Sequence, residues 1–151
     1  MTRRVLVDGN NVMGSRPDGW WRNRAEAAQR LVADIVPVAR SLGGTWTVVF
    51  DGAQPPLMRL PERVSVVHTG HGRRDGADDH IVALVGALPD PALALVYTSD
   101  AGLRARVHAL GARVAGARAL LDEIAAVREA TGSSASDELV VVPRGPSQNP
   151  S

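Results

Sequence analysis

A chain of 151 residues, 44% of them hydrophobic, is long enough for one compact domain with a full core and too short for two ordinary ones. The lack of cysteine excludes disulfides, thiolate metal sites and cysteine nucleophiles, so any metal must be held by oxygen or imidazole. A formal net charge of +1 excludes a global basic footprint for nucleic acid, and local charge placement has to carry any such role.

Arg4-Val5-Leu6-Val7 is a short apolar run that stops at Asp8-Gly9-Asn10-Asn11, the pattern of a buried strand ending in a polar turn. Met1 to Arg3 lead straight into it without the apolar segment of a signal peptide, and no later stretch has the apolar length of a membrane span. A cytoplasmic protein with no membrane partner is expected. A loop with Pro17, Gly19 and the pair Trp20-Trp21 follows. From about Asn23 to Leu42 the chain places Ala27, Leu31, Ile35 and Val38 at helical spacing, with Gly43-Gly44 as the stop and Pro37 as a source of a kink in the last turn.

Thr45 to Phe50 is β-branched and aromatic, and it also ends in Asp-Gly, at Asp51-Gly52. Trp46, at its start, is expected in the core. A proline-rich loop and a short strand from Val64 to Val67 precede the glycine-rich basic loop His68 to Gly76, which leads into a helix from about Ala77 to Leu88. Ala92 to Thr98 reads as the next strand, closed by Ser99-Asp100. Leu103, Val107 and Leu110 mark a helix ended by Gly111, and a brief strand at Arg113-Val114 and a helix from about Ala117 to Glu129 follow. The domain is thus drawn over residues 1–129. The Gly, Ser, Pro and Asn content of residues 130–151 predicts a mostly disordered tail.

Apolar strands alternating with amphipathic helices predict a three-layer Rossmann-like α/β domain, with a central, mainly parallel sheet of about five strands flanked by helices. In such a sheet the carboxyl ends of the strands share one edge, where ligands bind. Asp8, Asp51 and Asp100 each follow a strand, and Asp78 opens a helix whose N-terminus should face the same edge. Clustered carboxylates repel unless a cation lies between them, and hard oxygen donors suit Mg²⁺ or Mn²⁺. Such a cation can prepare a water for in-line attack on a phosphodiester, so no protein nucleophile is needed. Each aspartate also has a plainer reading as a turn former or N-cap; their coincidence on one edge favours the metal. Asp79, beside Asp78, is a further ligand or simply an acid at the helix N-terminus.

Val7-Asp8-Gly9-Asn10-Asn11-Val12 resembles the opening motif of NYN domains, a PIN-like nuclease group, and most closely its YacP-like branch. Val49-Phe50-Asp51-Gly52, Ala77-Asp78-Asp79-His80-Ile81 and Thr98-Ser99-Asp100 resemble the later motifs of that branch in order and spacing, over residues 3 to about 127. The resemblance implies a metal-dependent endoribonuclease using Mg²⁺ or Mn²⁺, with Asp8, Asp78 and Asp100 as the catalytic and metal-binding core. Asp51 and Asp79 would be auxiliary ligands, and Asn11 and Ser99 would position the carboxylates or the phosphate. RNA is the implied substrate and a ribosome or other ribonucleoprotein a candidate partner, with the protein a monomer or homodimer. The departure is Asn10, where much of the branch has Tyr, which puts a base-stacking contact in doubt.

Two histidines and two arginines between His68 and Arg74 make that loop the candidate for gripping RNA, with His71, Arg73 and Arg74 as substrate-binding residues. Arg16, Arg22 and Arg24 could extend the track, and Trp20 and Trp21 could stack a base or simply lie on the sheet edge. His80 is expected on the surface or in a cap rather than at a metal. All 17 basic residues are arginine, which suits phosphate but is better explained by a GC-biased coding sequence, given the richness in Ala, Gly and Val. The rival to catalysis is an inactive RNA-binding or adaptor module on the same fold. A HAD-like phosphatase would need a second Asp where Asn10 stands, and no G-x-G-x-x-G follows the first strand.

Overall fold

A computed structural model describes residues 2–52, 59–70 and 76–144, with side chains described as far as Thr131. Five strands, β1 (Arg4–Asp8), β2 (Thr45–Phe50), β3 (Val64–His68), β4 (Ala94–Tyr97) and β5 (Arg113–Ala115), form one sheet in the order β3-β2-β1-β4-β5. Every pairing between them is parallel. The helices are α1 (Gly9–Gly14), α2 (Arg24–Leu42), α3 (Gly76–Gly86), α4 (Ala101–Ala109) and α5 (Ala117–Arg144), with 3₁₀ turns at Trp20–Arg22 and Pro91–Leu93.

The alternation of side chains along the strands divides the core into two layers. Val5, Val7, Trp46, Val48, Phe50 and Tyr97 face a larger cluster filled by α1, α2 and α5. Leu6, Val49, Ala94 and Val96 face a smaller one filled by α3 and α4. Strands buried on both faces read as unbroken apolar runs, which is why Arg4 to Val7 and Thr45 to Phe50 are legible in the sequence. Trp46 is fully buried, as expected, and its indole N–H donates to the Gly43 carbonyl at 2.9 Å.

Helix α2 begins where its capping signal lies: the Asn23 side chain accepts the Glu26 N–H at 3.1 Å. Its apolar stripe, with Leu31, Val32, Ile35 and Val36 among its buried residues, packs on the sheet, and it continues through Pro37 to Leu42. Gly44, at φ 91°, follows its end; a Cβ there would come within 2.8 Å of the Arg3 carbonyl, which accepts the Thr45 N–H. That close approach sets the register of β2 beside β1.

Two expectations differ from the structure. The segment after Asp8 is the start of a helix rather than only a polar turn. Gly9, Asn10 and Asn11 have poor helix propensity, and α1 is held instead by burying Val12 and Met13 in the larger core. The last helix also does not stop near Glu129 but runs to Arg144. Helix propagation from a packed segment costs little per residue. Thr131 lies within it, its hydroxyl bonded back to the Val127 carbonyl at 2.8 Å.

Candidate active site

The strand order turns round at β1. The chain leaves β1 for β2 and β3 on one side, then returns to β4 and β5 on the other, so the crevice between β1 and β4 is the switch point of the sheet. Asp8 ends β1 there, and Thr98-Ser99-Asp100 follows β4 on the neighbouring strand. Asp51 follows β2 on the other flank of β1.

Asp8 is 4% exposed, an unusual state for a carboxylate. The buried Thr98 hydroxyl donates to its Oδ2 at 2.8 Å, and the backbone N–H of Asn11 acts on it from the start of α1 without closing a cap hydrogen bond. Burial pushes its pKa above the ordinary value, opposed by the Thr98 hydroxyl and the Asn11 N–H, and the negative charges of Asp100 and Asp51 push it up further. The Thr98 oxygen also accepts the Asp100 N–H at 3.1 Å, so one hydroxyl fixes both acids relative to each other. Sequence reasoning gives Thr98 no role beyond its place in the Thr98-Ser99-Asp100 motif. The signal that marks it is a hydroxyl at the buried end of a strand beside an acid.

The two asparagines after Asp8 stitch the strand ends together. Asn10 Oδ1 accepts the Asp51 N–H at 2.7 Å, and Asn11 Oδ1 accepts the Ser99 N–H at 2.7 Å. Asn10 therefore positions a strand end where an aromatic contact would otherwise be expected. Gly9 permits this path, for a Cβ there would lie 2.5 Å from the Phe50 ring.

The plain and the functional readings of the other acids meet here. Asp100 Oδ1 caps α4 through the Leu103 N–H at 2.9 Å. Asp51 Oδ1 accepts the Ala77 N–H at 2.8 Å and the Thr69 hydroxyl at 3.0 Å, so it anchors the start of α3 at this edge. That bond brings half-buried Asp78, one residue on, to the same edge. Ser99 Oγ accepts the Ala117 N–H at 2.8 Å at the start of α5. Asp79 is turned to α4, where Arg106 meets it at 3.1 Å. Among the described residues no group of three His, Asp or Glu side chains is already closed on a single metal position.

His68 ends β3 with its ring stacked on Phe50 at 5.6 Å, and its Nδ1 is buried with no hydrogen-bond partner among the described residues. Burial lowers its pKa below the ordinary imidazole value, which keeps the ring neutral at physiological pH. His80 and Asp79 line an open depression with Val67, His68, Thr69 and Gly76. His71, Arg73 and Arg74 lie outside the described residues.

The donor set fits a hard divalent cation. Mg²⁺ is commonly bound through one or two carboxylates, its other positions filled by water and phosphate oxygens. Asp8 and Asp100, linked through Thr98, meet that need, and the raised pKa of Asp8 marks a carboxylate that a nearby cation would stabilise.

A family model of the YacP-like NYN domain matches residues 5–140. Among solved structures, the W164L mutant of Rae1 (YacP) from Bacillus subtilis is 27% identical over 94% of this chain and 86% of its own, with a TM-score of 0.72. A second structure of Rae1 (YacP) from the same organism is 26% identical, covering 91% and 86%, with a TM-score of 0.69. No curated protein sequence matches the chain. The chain belongs to the YacP-like NYN domain family, within the PIN-like nucleases.

Proposed function

We propose that the protein is a metal-dependent endoribonuclease that hydrolyses RNA phosphodiester bonds at the β1–β4 crevice. The observation that carries the reading is Asp8, a carboxylate buried at the switch point with two further acids raising its pKa. Burial of an acid among acids destabilises the cation-free protein, and such sites are where catalytic ligands are found.

A bound Mg²⁺ or Mn²⁺ would supply the positive charge that offsets the phosphodiester and lowers the pKa of the attacking water. Asp8 and Asp100 would hold it, with Asp78 as the third acid of the core and Asp51 and Asp79 as auxiliary ligands. Thr98 keeps Asp8 and Asp100 in register, and Asn10 and Asn11 keep the strand ends closed around them. Asn11 and Ser99, joined through the Ser99 N–H, would position the carboxylates or the phosphate, and the basic side chains of His71, Arg73 and Arg74 would hold the phosphate. Substrate RNA, free or within a ribosome or other ribonucleoprotein, and a cytoplasmic location belong to the same reading. Among the described residues no helix is long and apolar enough to cross a membrane.

The test is cleavage of a labelled structured RNA with Mg²⁺, with Mn²⁺ and with EDTA, for wild type, Asp8→Asn and Asp100→Asn. Metal-dependent internal cuts that fall by about a hundredfold or more in both variants are expected, on the scale of losing one electrostatic contact to a transition state. RNA binding without cutting in either metal would overturn catalysis in favour of the adaptor reading. The caps made by Asp51, Ser99 and Asp100 would serve that module as well.

A further inference from the structure

The segment between α1 and α2 is not used by the site described above. Gly19, in the left-handed region at φ 73°, turns the chain into the 3₁₀ turn Trp20–Arg22, and Asn23 caps α2 directly after it. Five consecutive residues, Trp20 to Arg24, are therefore held between two fixed points. Trp20 packs on the edge of the larger core and lies against Gly14, whose added Cβ would meet its indole at 3.7 Å. Trp21 stands at 90° to it, with ring centroids 6.0 Å apart, and is 59% exposed.

Arginines complete the arrangement. The Arg22 guanidinium lies 5.7 Å from the Trp21 ring centroid and that of Arg24 lies 5.1 Å from Trp20. Their neighbours Arg16 and Arg30 are tied to Asp34 and Asp18, whereas among the described residues neither Arg22 nor Arg24 is paired with a carboxylate. An exposed ring flanked by uncommitted cations is the composition of a base-stacking, phosphate-holding contact.

We propose that Trp21, with Arg22 and Arg24, is a stacking platform for an unpaired base of the RNA strand that enters the crevice. The proposal rests on the nuclease reading and adds a substrate subsite to it. Helix α1 carries the chain about 9 Å from Asp8 to Gly14, against which Trp20 lies, and the Trp21 ring is a further 6.0 Å from that of Trp20, a path on the order of four or five stacked nucleotides at ~3.4 Å each. A protein partner is the weaker occupant, because the other exposed large hydrophobics among the described residues, Leu42 and Leu110, lie elsewhere. Leu42 is at the far end of α2, about 28 Å of helix away, so no contiguous apolar patch surrounds Trp21.

The experiment is titration with a single-stranded RNA of roughly 12 nucleotides, within the ~4–16 nucleotide range of single-strand sites, in EDTA so that binding is read without cutting. Tryptophan fluorescence serves as one readout, since Trp46 is buried and quenching reports on Trp20 and Trp21. Trp21→Ala should weaken binding about tenfold or more and remove most of the quenching, with Trp21→Phe recovering much of the affinity. Arg22→Ala with Arg24→Ala should make the salt dependence of binding shallower, by about 0.7 in the log–log slope for each phosphate no longer neutralised. An unchanged affinity in Trp21→Ala, with an unchanged melting curve, would overturn the platform even if wild-type cleavage needs Asp8. Loss of self-association in Trp21→Ala with RNA binding intact would overturn it in favour of a protein contact.

Discussion

Replacing Asp8 by asparagine separates the stability and the activity of the candidate site. The carboxyl has a folded pKa above its unfolded value of about 3.8, first through burial and then through Asp100 and Asp51, against the Thr98 hydroxyl and the Asn11 N–H. Such a group binds more protons folded than unfolded. Its contribution to stability therefore grows as pH falls through the folded pKa and is complete below 3.8, whereas at neutral pH the anion destabilises the cation-free fold. Asp8→Asn removes the buried charge and keeps an acceptor for the Thr98 hydroxyl, so it should melt higher than wild type in EDTA near neutral pH. That advantage should shrink as the pH approaches the unfolded value. Added Mg²⁺ should act the other way round: at a hundredfold over its Kd it stabilises the wild type by about 2.7 kcal/mol. For a domain of this size that is roughly 5–10 °C in Tm, and Asp8→Asn should show almost none of it. Scanning calorimetry over a pH series, with EDTA and with MgCl₂, measures both. A variant that melts below wild type in EDTA, or that retains the full Mg²⁺ response, would refute the reasoning.

Three further outcomes rest on the same contacts. Thr98→Val leaves a buried Asp8 oxygen and the Asp100 N–H without their partner, which should cost ~1–3 kcal/mol. Urea unfolding checks the stability, and cleavage should fall in kcat more than in KM because the two acids lose their common link. Gly9→Ala drives a Cβ into the Phe50 ring; overpacking of this kind costs ~1–3 kcal/mol, and a Tm equal to wild type would show that the β1–α1 turn can shift freely. Asp34→Ala strands Arg16, its half-buried partner at 2.7 Å, and should destabilise by ~1–3 kcal/mol in urea unfolding with little change in kcat. The second partner, Arg128, is mostly exposed and adds little.

Much of this fold can be read along the chain because its signals are local. Four apolar or amphipathic segments, β1, α2, β2 and β4, carry their periodicity and their Asn, Gly and Pro boundaries within a few residues. Helix α1 cannot be read so, since Gly9-Asn10-Asn11 resists helix formation until Val12 and Met13 meet α2 and α5. The far end of α5 is hidden for a related reason: Gly132-Ser133-Ser134 is a stop in propensity but not in a helix already propagating from a packed segment.

The candidate site divides along the same line. Sequence alone determined that acids close β1, β2 and β4 and open α3, because an aspartate after an apolar run is visible without knowing its neighbours. Only the tertiary structure decided which acid is buried and which are engaged. Asp8 lies at the point where the strand order reverses, Asp100 and Asp51 cap helices while acting on it through space, and Asp79 turns to Arg106. It also decided that Thr98, 90 residues from Asp8 in sequence, is the hydroxyl that joins the pair. Parallel pairing creates these contacts, since it brings together strand ends that the chain separates by whole crossover helices, and no local pattern encodes a distance of that kind.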